Sequence, residues 1–285
     1  IRNAVQAARK AFGSWSEKTA FNRGQILYRI AEMLEGRKAQ FVEELAKQGS
    51  TESTAKQEVE LSIDRCVYYA GWCDKLTGDV MSTFDTRGEF SYSVPEPIGI
   101  VGIINTWNGP LIGIGMKVIP ALAAGNCVIL KPAEITPFAP ELFAQCAKEA
   151  GVPDGVLAIL PGTGEAGDAI VRHPRVRKIS FTGGPTTARK ILAAAAEQIK
   201  PSVMELGGKS ASLVFPDCNL QAAAERAIFW TIGILAGQGC ALPTRQIVHA
   251  DVYDEFLERM VEVSKVFKVG DPMEPGVMVG PVINA

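Results

Sequence analysis

One of the six cysteines differs from the rest in its neighbours: Cys240 ends the segment Gly237-Gln238-Gly239-Cys240. Flanking glycines cannot shield a sulfur, so a thiol there is open to an electrophile, and its chemistry would be nucleophilic attack. Most cysteines are inert small hydrophobes, and from this segment alone that reading stays open. Glu205 lies in an apolar run at a strand end, Met204-Glu205-Leu206-Gly207-Gly208-Lys209. Burial there would raise its proton affinity and suit it to general-base work. The competing reading is a structural carboxylate that caps backbone N–H groups of the Gly207-Gly208 turn. Asn108, in Ile104-Asn105-Thr106-Trp107-Asn108-Gly109-Pro110, can offer an amide donor to a cleft or serve as a helix N-cap.

Three further segments could hold a phosphorylated ligand. Lys131-Pro132-Ala133-Glu134 follows a strand, where open α/β sheets bind ligands, and a carboxylate there can accept both hydroxyls of a ribose. An exposed lysine followed by a helix-initiating glutamate is the plainer reading. In Phe181-Thr182-Gly183-Gly184-Pro185, a strand runs into a helix whose free N–H groups and dipole face any pyrophosphate placed there. A tight turn that needs glycine explains the segment equally well. Gly162, Gly164 and Gly167 fit G-x-G-x-x-G between a strand and a helix. That match is weak, because two strands precede it and no acidic residue follows at the usual distance.

These segments sit on a recognisable series of elements. Residues 1–75 carry apolar positions at helical spacing, as at Ile26, Leu27, Ile30 and Leu34. Residues 78–97 change to loosely alternating Thr, Phe, Tyr, Ser and Val around Asp85-Thr86-Arg87-Gly88, which predicts a hairpin. From 98 onward, strands over 98–104, 127–131, 156–160, 176–181 and 202–206 alternate with helices over 111–124, 137–150, 165–172 and from 185. Short apolar runs alternating with helices imply βαβ units and a parallel sheet buried on both faces. A second series follows 207, with helices expected over 219–235 and 252–267.

Composition sets the bounds. The 285 residues are 47% hydrophobic and 21% charged, enough apolar content for a sizeable core. The net charge is −2 without runs of one sign, so no nucleic-acid or membrane-surface partner is expected. No apolar stretch reaches spanning length and the N-terminus shows no secretory signal, which points to a cytoplasmic protein. The chain has no C-x-x-C, and His173 and His249 are far apart, which argues against a disulfide framework and a metal site.

The ordered set Trp107-Asn108, Lys131-Glu134, Phe181-Gly184, Met204-Lys209 and Gly237-Cys240, with Cys240 35 positions after Glu205, resembles the NAD(P)-dependent aldehyde dehydrogenase superfamily along the whole chain. The resemblance implies an α/β fold: a Rossmann-like parallel-sheet cofactor domain followed by part of a second α/β catalytic domain. It divides the chain into an N-terminal helical part (1–77), a bridging hairpin (78–97), a nucleotide-binding domain (98–206) and a partial catalytic domain (207–285). It makes Cys240 the nucleophile toward an aldehyde, Asn108 with the Cys240 N–H the oxyanion donors, Glu205 the base that activates water, and Lys117 an assisting lysine. NAD, with NADP as the alternative, would be held by Ile104, Asn105, Thr106, Trp107, Lys131, Ala133, Glu134, Gly164, Gly167, Phe181, Thr182, Gly183, Gly184, Leu206 and Gly207. A small-molecule aldehyde would be the substrate and a homodimer or homotetramer the full-length assembly.

The sequence departs from the family pattern at Gly184, at Ala188 and after Cys240, which leaves some pyrophosphate contacts in doubt. The resemblance also implies strands before Ile1 and a C-terminal part beyond Ala285, so the chain reads as a fragment, inactive and prone to aggregate when made alone. Gly109 and Gly113, four apart after Asn108, suggest a wide tunnel for bulky aldehydes. Three competitors are a catalytically silent dinucleotide binder, an acylating relative, which Glu205 argues against, and a cysteine hydrolase using His249.

Overall fold

The computed structural model describes residues 1–81 and 88–284. It opens with four helices, α1 (Arg2–Ser16), α2 (Ala20–Gly36), α3 (Lys38–Lys47) and α4 (Glu52–Trp72). Side-chain caps start two of them: the Thr19 hydroxyl accepts the N–H of Asn22, and that of Thr51 accepts the N–H of Thr54. Ala55, Val59, Ser62, Cys66 and Ala70 form the buried stripe of α4, at the three- and four-residue spacing of one helix face. Trp15 is fully buried, and its indole Nε1 donates to the Leu122 carbonyl at 3.2 Å, which ties α1 to the helix carrying Lys117.

The expected hairpin is present but short. β1 (Val80–Met81) pairs antiparallel with β2 (Ser91–Tyr92), and the turn expected at Asp85-Thr86-Arg87 lies outside the described residues.

The main sheet contains β3 (Ile100–Ile104), β4 (Cys127–Lys131), β5 (Leu157–Ile159), β6 (Val176–Gly183) and β7 (Ser202–Leu206). All neighbours are parallel, in the order β5-β4-β3-β6-β7. The chain thus starts at β3, builds outward through β4 and β5, then returns to the other side of β3 with β6. That reversal between β3 and β6 is where doubly wound sheets bind ligands, beyond the carboxyl ends of the strands. The connecting helices are α5 (Ile112–Ala123), α6 (Phe138–Glu149), α7 (Gly164–Arg172) and α8 (Pro185–Ala196). β3 and β4 are buried at every position, as a doubly covered sheet requires. β7 departs from that expectation: it is an edge strand, and Val203, Glu205 and Leu206 are exposed.

The second series gives β8 (Ala211–Val214), α9 (Leu220–Ile228), β9 (Arg245–Val248) and α10 (Tyr253–Ser264), with β8 and β9 parallel. The helix expected over 219–235 stops at Ile228 and loosens into a π-helical turn at Phe229–Gly233, then a single 3-10 turn at Leu235–Gly237. Leu235, Ala236 and Gly237 all have positive φ, at 50°, 51° and 80°, which no α-helix can continue through. The helix expected to run to 267 ends at Ser264. Among the described residues there are two buried clusters: a large one joining α1–α8 to the main sheet, and a small one of Val214, Ala224, Ala227 and Phe256.

Candidate active site

Side chains alternate across a strand, and here the alternation sorts the candidates. Val101, Ile103 and Asn105 on one strand line face the same cleft as Lys178, Ser180 and Thr182 on the next and Val203 and Glu205 on the third. α5 forms the opposite wall through Ile112, Gly113, Met116 and Lys117, and the loop 239–242 closes one end. The cleft is open to solvent, with about 1800 Å³ of empty space including its mouth. Asn108, Lys117, Glu205 and Cys240, far apart in sequence, all line it.

Cys240 is exposed, on the loop between the turn at Leu235–Gly237 and β9. Cys66, Cys73, Cys127 and Cys146 are buried, and burial pushes the Cys66 and Cys127 thiols up to about 12. Those four are inert at neutral pH. Cys218 is also exposed but does not line the cleft. Backbone strain marks the approach to Cys240, because Leu235 and Ala236 occupy a left-handed conformation that side-chain-bearing residues avoid.

Asn108 is not a helix cap: α5 starts at Ile112, with Leu111 in the N-cap position. Its Nδ2 donates to the Gln238 carbonyl at 2.8 Å, fixing the amide against the Cys240 loop and leaving its second N–H free. Gln238 is itself braced: Nε2 donates to Leu235 O at 2.9 Å, and Oε1 accepts the Ile283 N–H at 2.9 Å. Lys117 Nζ donates to Ser180 Oγ at 3.0 Å. Burial lowers the proton affinity of this lysine, and the neighbouring Glu205 charge pulls it back up. Glu205 is exposed on the cleft side of β7, so the burial expected for it is absent; an edge strand leaves that face open to water.

Of the residues expected to hold a dinucleotide, Asn105 and Thr182 face the cleft through their side chains, with Thr106 beside them. Ile104 and Phe181 sit in register one position earlier on their strands and face the opposite side of the sheet; a Cβ at Gly167 would meet Ile104 Cδ1 at 3.5 Å. Lys131 is buried, not exposed, and its Nζ bonds Glu134 Oε2 at 2.7 Å. That bond, with help from backbone N–H, holds the Glu134 carboxyl below its usual range. Glu134 lies in a turn, ahead of α6, next to buried Ala133. Gly183 is required because a Cβ there would stand 2.5 Å from the Phe181 ring. Gly184 caps α8 with nothing within 4 Å of its would-be Cβ, so the amide end of α8 is open to approach. Gly164 opens α7 with the same freedom. Leu206 and Gly207 follow Glu205 and are exposed, while Trp107 lines a separate hollow with Glu58 and Thr136.

The two glycines near Asn108 do not widen the cleft in the expected way. Gly109 precedes the helix and its Cβ position is filled by Ile112 Cγ2 at 2.7 Å; that of Gly113 is filled by the Asn105 amide, 2.3 Å to Nδ2. Neighbouring side chains have taken the volume. His249 follows β9, accepts the Asp251 N–H on Nδ1 and does not line the cleft. Among the described residues, no group of three His, Cys, Asp or Glu could hold a metal, and no helix is long and apolar enough to cross a membrane.

Two supporting residues were not singled out from sequence. Ser180 takes the Lys117 hydrogen bond. Glu58, buried on α4, accepts the Leu111 and Ile112 N–H groups at 2.9 and 3.1 Å and so caps α5 from a distance of fifty-odd residues. Its signal was available: Glu58 occupies the apolar stripe between Ala55 and Val59.

A parallel sheet that reverses at β3/β6 has the arrangement of a dinucleotide-binding fold, with a thiol, a carboxylate, an amide and a lysine lining one cleft. The chain belongs to the aldehyde dehydrogenase family, whose pattern it matches over residues 1–285. It is 38% identical to the D-glyceraldehyde dehydrogenase (NADP(+)) of Picrophilus torridus, over 99% of this chain and 57% of that protein. An aldehyde dehydrogenase from Bacillus cereus, solved as its NAD+ complex, superposes with a TM-score of 0.95 at 35% identity, over 99% of this chain and 58% of that one. An NADP-dependent enzyme of E. coli gives 0.96 at 33% identity, over 99% and 59%. The chain thus spans less than three-fifths of the length of these relatives.

Proposed function

We propose that this chain carries the nucleophile, the base and most of the dinucleotide site of an enzyme that oxidises an aldehyde to a carboxylate with NAD(P). The observation that carries the reading is the cleft shared by Asn108, Lys117, Glu205 and Cys240. Dinucleotide use is supported by the open amide end of α8 at Gly184, by the Lys131–Glu134 pair beyond β4, and by relatives solved with NAD or described as NADP-dependent. The dinucleotide, when bound, supplies the hydride acceptor.

The protein's own residues do the rest. Cys240 Sγ attacks the carbonyl carbon and forms a thiohemiacetal. The free N–H of Asn108 Nδ2 and the Cys240 backbone N–H donate to the resulting oxyanion; losing one such donor lowers rates on the order of 100- to 1000-fold. After oxidation to the thioester, Glu205 removes a proton from water, whose oxygen attacks the acyl carbon. The carboxylate product leaves and the Cys240 sulfur is released. Lys117, held by Ser180, is placed to steady the charge on Glu205. The Glu134 carboxylate favours a ribose with two free hydroxyls over a 2′-phosphate, which makes NAD the preferred cofactor. The four-part division at 77/78, 97/98 and 206/207 is our reading of the chain. Exposed Val80, Phe90, Tyr92 and Val94 support a role for the hairpin region in subunit contacts within a homodimer or homotetramer.

Cys240→Ser in the whole protein tests the proposal. Dinucleotide reduction with aldehyde should fall by at least a thousandfold, while NAD quenching of tryptophan fluorescence persists. Ordinary turnover by that variant would refute the assignment, and tighter binding of NADP than of NAD would refute the cofactor preference.

A further inference from the structure

Lys117 reaches across the cleft from α5 to β6, where its Nζ donates to Ser180 Oγ at 3.0 Å. Among the described residues it forms no ion pair, although Glu205 lies in the same cleft. Burial lowers the proton affinity of Lys117 and the Glu205 charge raises it, so the two groups sense each other without touching. The strand register explains the separation. Ser180 pairs with Val203, and Thr182 pairs with Glu205, so Ser180 and Glu205 are diagonal neighbours on one face of the sheet. Strand spacings put their backbones about 8 Å apart, a gap that a lysine and a glutamate side chain can close between them. An ammonium has three donors and no acceptor. A half-buried one is drawn to the nearest carboxylate unless something else accepts from it.

We infer that Ser180 is a positioning residue: it holds the Lys117 ammonium beside Glu205 but off its carboxylate, which leaves the carboxylate oxygens free for water. The inference rests on the aldehyde-oxidising reading above. In the hydrolytic step a proton passes from water to a Glu205 oxygen while the water oxygen attacks the acyl carbon. That transfer needs the oxygen within hydrogen-bond reach of the water. An ammonium in direct contact would occupy it and favour the charged carboxylate, which weakens the base. From Ser180 the ammonium steadies the resting charge of Glu205 without blocking it.

The other ionisable groups over this cleft are Glu96, Lys178 and Cys240. From behind α5, helix α4 brings Glu58, engaged by the Leu111 and Ile112 N–H groups, and Arg65, whose Cβ stands 3.1 Å from the Cβ position of Gly115. None of these bonds the Lys117 ammonium, so Ser180 is the group whose loss releases it.

Ser180→Ala in the whole protein tests the inference, with two readouts. The first is the titration of Lys117, followed by NMR after reductive 13C-methylation and assigned with Lys117→Arg. Ser180→Ala should raise its midpoint by half a pH unit or more, and Glu205→Gln should abolish that rise. The second is turnover. The first-turnover burst of reduced dinucleotide should persist, while kcat falls about tenfold with little change in KM and its acid limb moves to lower pH. Ser180→Thr, which keeps the hydroxyl, should restore both, and in a Lys117→Met background Ser180→Ala should change kcat no further. Ser180→Cys carries the same expectation if the alanine variant does not fold. An unmoved Lys117 midpoint, or an equal loss of kcat in the Lys117→Met background, overturns the positioning role. A raised midpoint that depends on Glu205, in a protein that oxidises no aldehyde, would uphold the Ser180 arrangement and sink the dehydrogenase reading instead.

Discussion

The two parts of the molecule that meet at the cleft are built very differently. Asn108, Lys117 and Glu205 are presented by the main sheet and α5, within a cluster that includes Trp15, Phe41, Phe143, Ile103 and Ile119, all essentially fully buried. Cys240 is presented by a loop of the 211–264 region, whose buried cluster, among the described residues, is Val214, Ala224, Ala227 and Phe256. That loop is reached through a π-turn and two strained residues, and it is attached to the sheet side by the Asn108–Gln238 bond. The polar wall of the site is held rigidly by dense packing. The Cys240 loop is held by a few hydrogen bonds on a lightly packed support, so its position is the more easily perturbed.

The largest test of this contrast is Phe256→Ala. Removing a buried aromatic side chain destabilises by about 3–5 kcal/mol, and here it takes one of four core residues. Hydrogen exchange should show α9 and α10 losing protection while β3 and β4 keep theirs, and Cys240 alkylation should accelerate. Equal loss of protection in both regions would break the comparison.

Glu58 probes the rigid side with a smaller effect. Glu58→Ala leaves the buried Leu111 N–H without an acceptor and should cost about 1–3 kcal/mol. Glu58→Gln keeps an acceptor and removes the charge. Burial raises the proton affinity of Glu58 above the usual carboxylate value, partly opposed by its two backbone bonds. A raised acid contributes stability that is present below the ordinary carboxylate pKa and is lost as pH rises through the folded value. The unmutated protein should therefore lose part of its stability across that window, and Glu58→Gln should flatten the curve. Urea titrations from pH 3 to 7 measure this, and parallel curves for the two proteins would contradict it.

The smallest expected change sharpens the contrast by improving the rigid part. Ile199 follows α8 with φ 52° and is 91% exposed, so its side chain gains little from packing. β-branched residues are strained there and glycine is favoured. Ile199→Gly should stabilise the main-sheet region by about 1 kcal/mol without altering Cys240 alkylation. Thermal unfolding checks the first part and labelling kinetics the second; destabilisation would show that the strain is relieved elsewhere.

The strand–helix alternation from 98 to 206 was legible in the sequence because β3 and β4, apolar at every position, are what a doubly covered parallel sheet demands. The Cys240 loop, Glu205 at a strand end and the glycines before α8 were legible as chemistry-bearing segments for a similar reason: their residue types and spacing are local. Burial was not local. Glu205 looked buried in its apolar run and is exposed because β7 is an edge. Lys131 looked exposed beside Glu134 and is buried because β4 lies inside the sheet. Gly113 looked like empty space and is the seat of the Asn105 amide, eight residues earlier in the chain. The sequence by itself determined which residues alternate, which turns need glycine and which side chains have reactive atoms, since these follow from backbone geometry within a few residues. Only the tertiary structure decided which of them share a face, which are wet and which polar atoms remain without partners, because those depend on strand order and on helices packed from distant parts of the chain.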